Sequence, residues 1–199
     1  MKAPLKLGFL ASGNGSSARA IVAAVRAGGL DAEARLLVSN NRSAAALAFA
    51  AEAGVPSLVI ATKDDPAAAD ARLAEAMTAH GVELIVLSGY LRQLGPVTLG
   101  RYAGRVLNIH PGPLPQFGGH GMYGRRVHEA VIAAGAAQSG ICIHLVDEEY
   151  DRGPVIARRS VAVEPGDTAE TLQARVTARE PAFFVETLRR IAEGAIVLP

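Results

Sequence analysis

At 199 residues the chain has the size of one domain with a substantial core. Its 20 lysines and arginines against 19 acidic residues are dispersed along the sequence, so it lacks the basic footprint of a nucleic-acid or anionic-membrane protein and favours a small-molecule partner. A single cysteine, Cys142 in an apolar run, excludes an internal disulfide and a cysteine-based zinc cluster; with no run of membrane-spanning length and only a short, mixed stretch at Met1 to Leu10, the chain reads as cytoplasmic.

Short apolar runs alternate with longer alanine-rich amphipathic segments, the rhythm of βαβ units around a parallel sheet. Leu5 to Ala11 predicts a buried strand, followed by a Gly-Ser turn and a helix from about Ser17 to Ala27. A strand over Ala34 to Ser39, a helix over Ser43 to Ala53 and a strand over Ser57 to Ala61 come next. The helix Pro66 to His80 begins with proline in its first turn and stops at Gly81. Strands at Glu83 to Ser88 and Arg105 to His110 flank a short helical segment near Pro96 to Tyr102. The glycine- and proline-rich stretch from Pro111 to Gly124 predicts a long loop over the strand ends. A helix over Arg125 to Ala134 precedes two strands, Ser139 to Val146 and Pro154 to Val163, joined by a polar turn and suited to an antiparallel extension. A last helix runs from about Thr168 towards Ala192, kinked or divided at Pro181. The expected fold is α/β: a Rossmann-like open, mainly parallel sheet with helices on both faces, in one domain spanning 1–199, with halves at 1–104 and 105–199.

Three constellations carry chemistry. In Ser12-Gly13-Asn14-Gly15-Ser16-Ser17 the glycines let the backbone approach a ligand, and the following helix turns unpaired N–H groups and the positive end of its dipole into the loop. Ser16 or Ser17 is also placed to cap that helix. The loop suits a phosphate, although two glycines in a βα turn also serve geometry alone. No Gly-Lys-Ser follows, and the third glycine and strand-end acid of a dinucleotide fingerprint are missing.

Asn108 and His110 share one face of a strand that Pro111 terminates, at the carboxyl end where open α/β sheets bind ligands. They read either as a catalytic pair or as strand-end polar groups bonded to a loop. Asp147 to Asp151 holds four carboxylates in five residues, whose mutual repulsion keeps Glu148 and Glu149 in water. The tight Arg152-Gly153-Pro154 turn fixes Asp151, the anion that an amide and an imidazole lack. His144 either lines the same cavity or packs as a core residue; His80 caps a helix; His120 and His128 lie in or beside the long loop.

The Gly-Ser loop, Asn108-Ile109-His110-Pro111 and Tyr150-Asp151-Arg152-Gly153-Pro154 together resemble the motifs of the phosphoribosylglycinamide formyltransferase family, folate-dependent enzymes of purine synthesis. Ser88-Gly89-Tyr90-Leu91-Arg92-Gln93-Leu94 is similar to that family's folate-site strand and loop, and the resemblance runs in order from about Lys6 to Gly194. It implies transfer of the formyl group of 10-formyltetrahydrofolate to the primary amine of N1-(5-phospho-D-ribosyl)glycinamide, without a metal, by a monomer or homodimer. It implies Asn108, His110 and Asp151 as catalytic residues. Gly13, Asn14, Gly15, Ser16 and Ser17 would bind the phosphate and Glu180 the ribose or glycinamide portion. Leu91, Arg92, Gln93 and Leu94, with Asp147, Glu148, Glu149 and Tyr150, would border the pterin.

The family usually has asparagine where Ser17 stands and an arginine shortly before the third helix, where only Lys63 is found; its loop corresponding to Gly112 to Gly124 is commonly shorter and poorer in glycine. The residue types suit the reaction. Attack of an amine on the formyl carbon builds negative charge on the formyl oxygen, which Asn108 and a protonated His110 would stabilise while Asp151 accepts the amine's proton. A formyltetrahydrofolate hydrolase, a formyltransferase for an amino sugar or an aminoacyl-tRNA, and a phosphate-ligand sensor using the first loop alone are the competing readings.

Overall fold

The computed structural model describes residues 3–199; Met1 and Lys2, where the amino-terminal stretch begins, lie outside the described residues. The elements run β1 (Leu5–Leu10), α1 (Ser16–Arg26), β2 (Ala32–Ser39), α2 (Ala45–Glu52), β3 (Ser57–Val59), α3 (Pro66–Ala79) and β4 (Leu84–Leu87). They continue with α4 (Pro96–Arg101), β5 (Val106–His110), α5 (Arg125–Ala133), β6 (Gln138–Leu145), β7 (Val155–Ala162), α6 (Ala169–Thr177) and α7 (Glu180–Ala192). One seven-stranded sheet has the order β3-β2-β1-β4-β5-β6-β7. The first five strands in that order are parallel, whereas β6 runs antiparallel to both β5 and β7. The chain thus forms the expected Rossmann-like sheet with an antiparallel extension at its C-terminal end.

Strand side chains alternate between two cores because successive residues point to opposite faces. Leu7 and Phe9 of β1, with Leu84 and Val86 of β4, pack in a core with Ile21 of α1 and with Phe184 and Leu188 of α7. Leu10, Ile85 and Leu87 enter the other core with Leu73 and Met77 of α3. Burying each such side chain stabilises the fold by roughly 1.5–3 kcal/mol, so the sheet centre is a rigid platform for its loops. Gly8 faces α3, where a methyl group would collide with Met77 and Val82, which explains a glycine in a central strand.

The helix read over Thr168 to Ala192 divides in two, with Pro181 in the first turn of α7, where its missing N–H costs nothing. Thr168 caps α6 through a reciprocal pair of bonds with Thr171. At α1 the expected serine cap is not formed. Gly15 is the N-cap, in a left-handed conformation at φ 66°, and no side chain at that position caps the helix. Ser88, at the end of β4, instead lends its hydroxyl oxygen to the Ala18 amide at 3.0 Å.

The strand order reverses direction at β1, between β2 and β4, and the loops after β1 and β4 leave the sheet side by side. The Ser12 amide bonds to the Gly89 carbonyl at 3.0 Å, and the Ser12 hydroxyl accepts from the Leu91 amide at 2.8 Å while donating to Asn40 Oδ1 at 2.6 Å. Those bonds fix the crevice mouth.

Candidate active site

Over the carboxyl ends of the strands lies a cavity of about 580 Å³. Its wall brings together Ser16 and Ser17 of α1, Leu91 after β4, Asn108 and His110 of β5, the 119–124 loop, Tyr150 and Asp151, and Glu180 of α7. Gly13, Asn14 and Gly15 shape the turn without lining the cavity: the Gly13 carbonyl accepts from the Ala46 amide, and the Asn14 carbonyl from Arg19 Nε. With Ala18 satisfied by Ser88 and Arg19 by the Gly15 carbonyl, the Ser16 and Ser17 amides have no protein partner among the described residues. Two free donors at a helix start suit an anion.

The central constellation is built on Asn108, His110 and Asp151, and it includes a fourth member. His110 Nδ1 lies 3.4 Å from Asp151 Oδ2, and His144 Nε2 lies 3.4 Å from Asp151 Oδ1. The Phe117 carbonyl is 2.7 Å from His110 Nε2, and the Leu145 carbonyl is 2.8 Å from His144 Nδ1. A carbonyl only accepts, so each ring carries a proton on that nitrogen, while its other nitrogen faces the Asp151 carboxylate and bonds it when protonated. Asn108 Nδ2 is 3.1 Å from His144 Nε2, and at least one amide N–H of Asn108 is left for a ligand.

Asp151 sits at φ 57°, the left-handed region, and is the one residue other than glycine recorded there among the described residues. Its neighbours hold it in that conformation: the Gly119 amide donates to Oδ2 at 3.0 Å, and a methyl group on Gly118 would overlap Leu114 and crowd Asp151 Cβ. Burial pushes the Asp151 carboxyl up, but bonds from His110 and His144, the His110 charge and the Gly119 amide together outweigh it and hold the group well below the usual carboxylate range. Asp151 is therefore an anion throughout neutral pH.

The acidic turn divides as its charges require. Glu148 and Glu149 are exposed, and Asp147 accepts from the Glu149 amide at 3.0 Å. Of that segment only Tyr150 and Asp151 reach the cavity, and Tyr150 meets His120 edge to face at 5.9 Å. In the loop after β4, Leu91 lines the cavity, Gln93 donates to the Glu148 carbonyl at 2.9 Å, Leu94 is buried below, and Arg92 stands outside the wall. His80 caps its helix as expected, its Nδ1 2.8 Å from the Ala76 carbonyl.

Glu180 lines the far side of the cavity, and burial pushes its carboxyl up to about 7. Two further residues line the same cavity. His128, expected in or beside the long loop and within the helix that follows it, is a buried residue of α5 with an unpartnered Nδ1; burial and the charge of His110 push it below the usual histidine range. Arg126 also reaches the wall, and only the expected start of α5 at Arg125 pointed to that turn. His144 packs as a buried residue and does not line the cavity; the antiparallel register sets it directly opposite Asn108, so that it backs Asn108 and Asp151 from behind.

Comparison with known proteins gives the family and the fold. The family described as formyl transferase matches residues 5–188. The chain belongs to the formyl transferase family. Within it, the phosphoribosylglycinamide formyltransferase of Bacillus subtilis is 35% identical over 188 residues, 94% of either chain. The chloroplastic phosphoribosylglycinamide formyltransferase of Vigna unguiculata is 38% identical over 96% of this chain, which spans 62% of that longer protein. Among solved structures, glycinamide ribonucleotide transformylase 1 from Symbiobacterium toebii superimposes with a TM-score of 0.89 at 33% identity, covering 100% of this chain and 92% of that one.

Proposed function

We propose that this chain transfers the formyl group of 10-formyltetrahydrofolate to the primary amine of N1-(5-phospho-D-ribosyl)glycinamide, a step of de novo purine biosynthesis, in the cytoplasm. The observation that carries the reading is the joining, in one cavity, of two free amides at the start of α1 with the Asn108, His110 and Asp151 constellation. Ser16 and Ser17 bind the acceptor's phosphate in this reading, in a turn shaped by Gly13, Asn14 and Gly15. Glu180 meets the acceptor's ribose or glycinamide, and Leu91 and Tyr150 border the pterin. Gln93, Leu94 and the Asp147 to Glu149 turn support that border from behind.

The residues then divide the work. As the amine attacks the formyl carbon, negative charge grows on the formyl oxygen, and the free N–H of Asn108 donates to it. His110 acts first through its place beside Asp151, because its Nε2–H is engaged by the Phe117 carbonyl. An oxyanion is a stronger acceptor than a carbonyl, so that N–H exchanges partners as charge develops. Asp151, ionised at neutral pH, takes the proton from the attacking amine directly or through water, and the same proton is delivered to N10 of the folate as the C–N bond breaks. No net proton is consumed.

Incubating the chain with both substrates and following tetrahydrofolate release tests the reading. Release that depends on the amine is expected. Release to water without the amine would mark a hydrolase instead, and no release with either would overturn the reading.

A further inference from the structure

We propose that Arg126 is the cation that binds the phosphate of the acceptor, an inference that rests on the formyl-transfer reading above. A phosphate monoester brings nearly two negative charges, whereas a helix start offers the equivalent of about half a positive one. The loop before α1 supplies no cation of its own. Arg19, the basic residue beside it, is turned away: Nε donates to the Asn14 carbonyl at 2.8 Å, Nη2 to the Ala45 carbonyl at 3.0 Å, and the guanidinium lies 4.7 Å from the Phe49 ring.

Among the described residues that line the cavity, Arg126 is the one arginine or lysine, against the carboxylates of Asp151 and Glu180. Its neighbour Arg125 faces Glu129 at 3.7 Å and Glu170 at 3.3 Å, but Arg126 has no carboxylate partner among the described residues. Its guanidinium is held 5.4 Å from the centre of the Tyr123 ring, an arrangement that orients the group while leaving its N–H donors uncommitted. Nη1 lies 3.8 Å from the position a Cβ of Gly121 would take, so the loop there carries no side chain to cover it.

Helix packing links Arg126 to the acceptor side of the cavity. α5 packs on α6, α6 leads through Thr177 into Glu180 of α7, and α7 packs on α1, so Arg126 belongs to the wall continuous with the Ser16 and Ser17 amides. Leu91 and Tyr150, the residues assigned to the pterin, stand in other segments, Tyr150 meeting the 119–124 loop through His120.

The test compares the unmodified chain with Arg126→Gln, Arg126→Lys and, as a control on the neighbouring pair, Arg125→Gln. Each is assayed with the phosphorylated acceptor and with its dephosphorylated riboside. The Gln variant is expected to raise KM for the phosphorylated acceptor roughly tenfold or more, to leave KM for the formyl donor within about twofold, and to narrow the preference for phosphate over hydroxyl to what the Ser16 and Ser17 amides supply. The Lys variant restores part of that preference. A rise in KM for the formyl donor alone, or an equal effect on both acceptors, overturns the proposal. If the unmodified chain turns over neither acceptor, the formyl-transfer reading fails separately. Calorimetric titration with inorganic phosphate then decides the role of Arg126, binding lost in the Gln variant supporting it and binding unchanged overturning it.

Discussion

Asp151 illustrates how much structure one carboxylate needs. Its left-handed backbone costs of order 1 kcal/mol, and it is kept there by Gly118, Gly119 and Gly153, each in a place where a methyl group has no room or a backbone amide is required. The two imidazoles then set its charge. Replacing His144 with glutamine removes one group that holds the carboxyl low, so Asp151 titrates closer to the ordinary range and the acid limb of the kcat/KM profile moves to higher pH. A pH–rate profile that keeps its acid limb would show that His144 only packs. Asn108→Ala removes the free amide donor and is expected to slow turnover by about two to three orders of magnitude while the urea midpoint changes little, as single-turnover rates and unfolding curves will report. Sequence patterns exposed Asn108 and His110 because they stand two apart before a proline. They left His144 open between cavity and core because its partner lies across a strand pairing whose register, Asn108 opposite His144, no local pattern encodes.

At the level of elements, helix starts show where local signals compete with long-range ones. The run Ser16-Ser17 has the composition of a cap, yet the tight turn places Gly15 at that position and Ser88 from another strand satisfies Ala18. Removing the distant hydroxyl should therefore weaken α1 although no residue of the helix changes. The opposite case is α7, where Pro181 marked the division of the last helical segment because its effect is purely local. The β6–β7 connection is tighter than composition suggests. A methyl group on Gly153 would overlap the Leu145 carbonyl, whose own amide bonds the Pro154 carbonyl at 2.9 Å. Gly153→Ala is expected to destabilise the chain by about 2–3 kcal/mol or to displace Asp151, measured as a lowered urea midpoint together with lost turnover.

For the molecule as a whole, the half-buried Glu180 makes stability depend on pH. In the unfolded chain this carboxyl titrates near 4.5, whereas in the fold it is raised to about 7, so between those values the native state holds a proton that the unfolded state has released. This contribution is full below the unfolded value and is lost as pH rises through the folded one. Glu180→Gln should remove that loss, which urea midpoints at pH 5 and pH 8 will show as a smaller difference in the variant than in the unmodified chain. The alternation of strand and helix made the sheet legible from sequence, and the rigid strands place the site residues. The Ser12 to Leu91 bond joins groups 79 residues apart, Asn108 to His144 spans 36, and Gly119 to Asp151 spans 32. Contacts of such separation depend on the sheet that brings their loops together. The Gly119 amide, whose only recorded partner is a side-chain carboxylate from a turn, belongs to the class that opens without global unfolding. Its hydrogen–deuterium exchange would then run ahead of the amides in β1 and β4, giving a direct clock for how often Asp151 leaves its place.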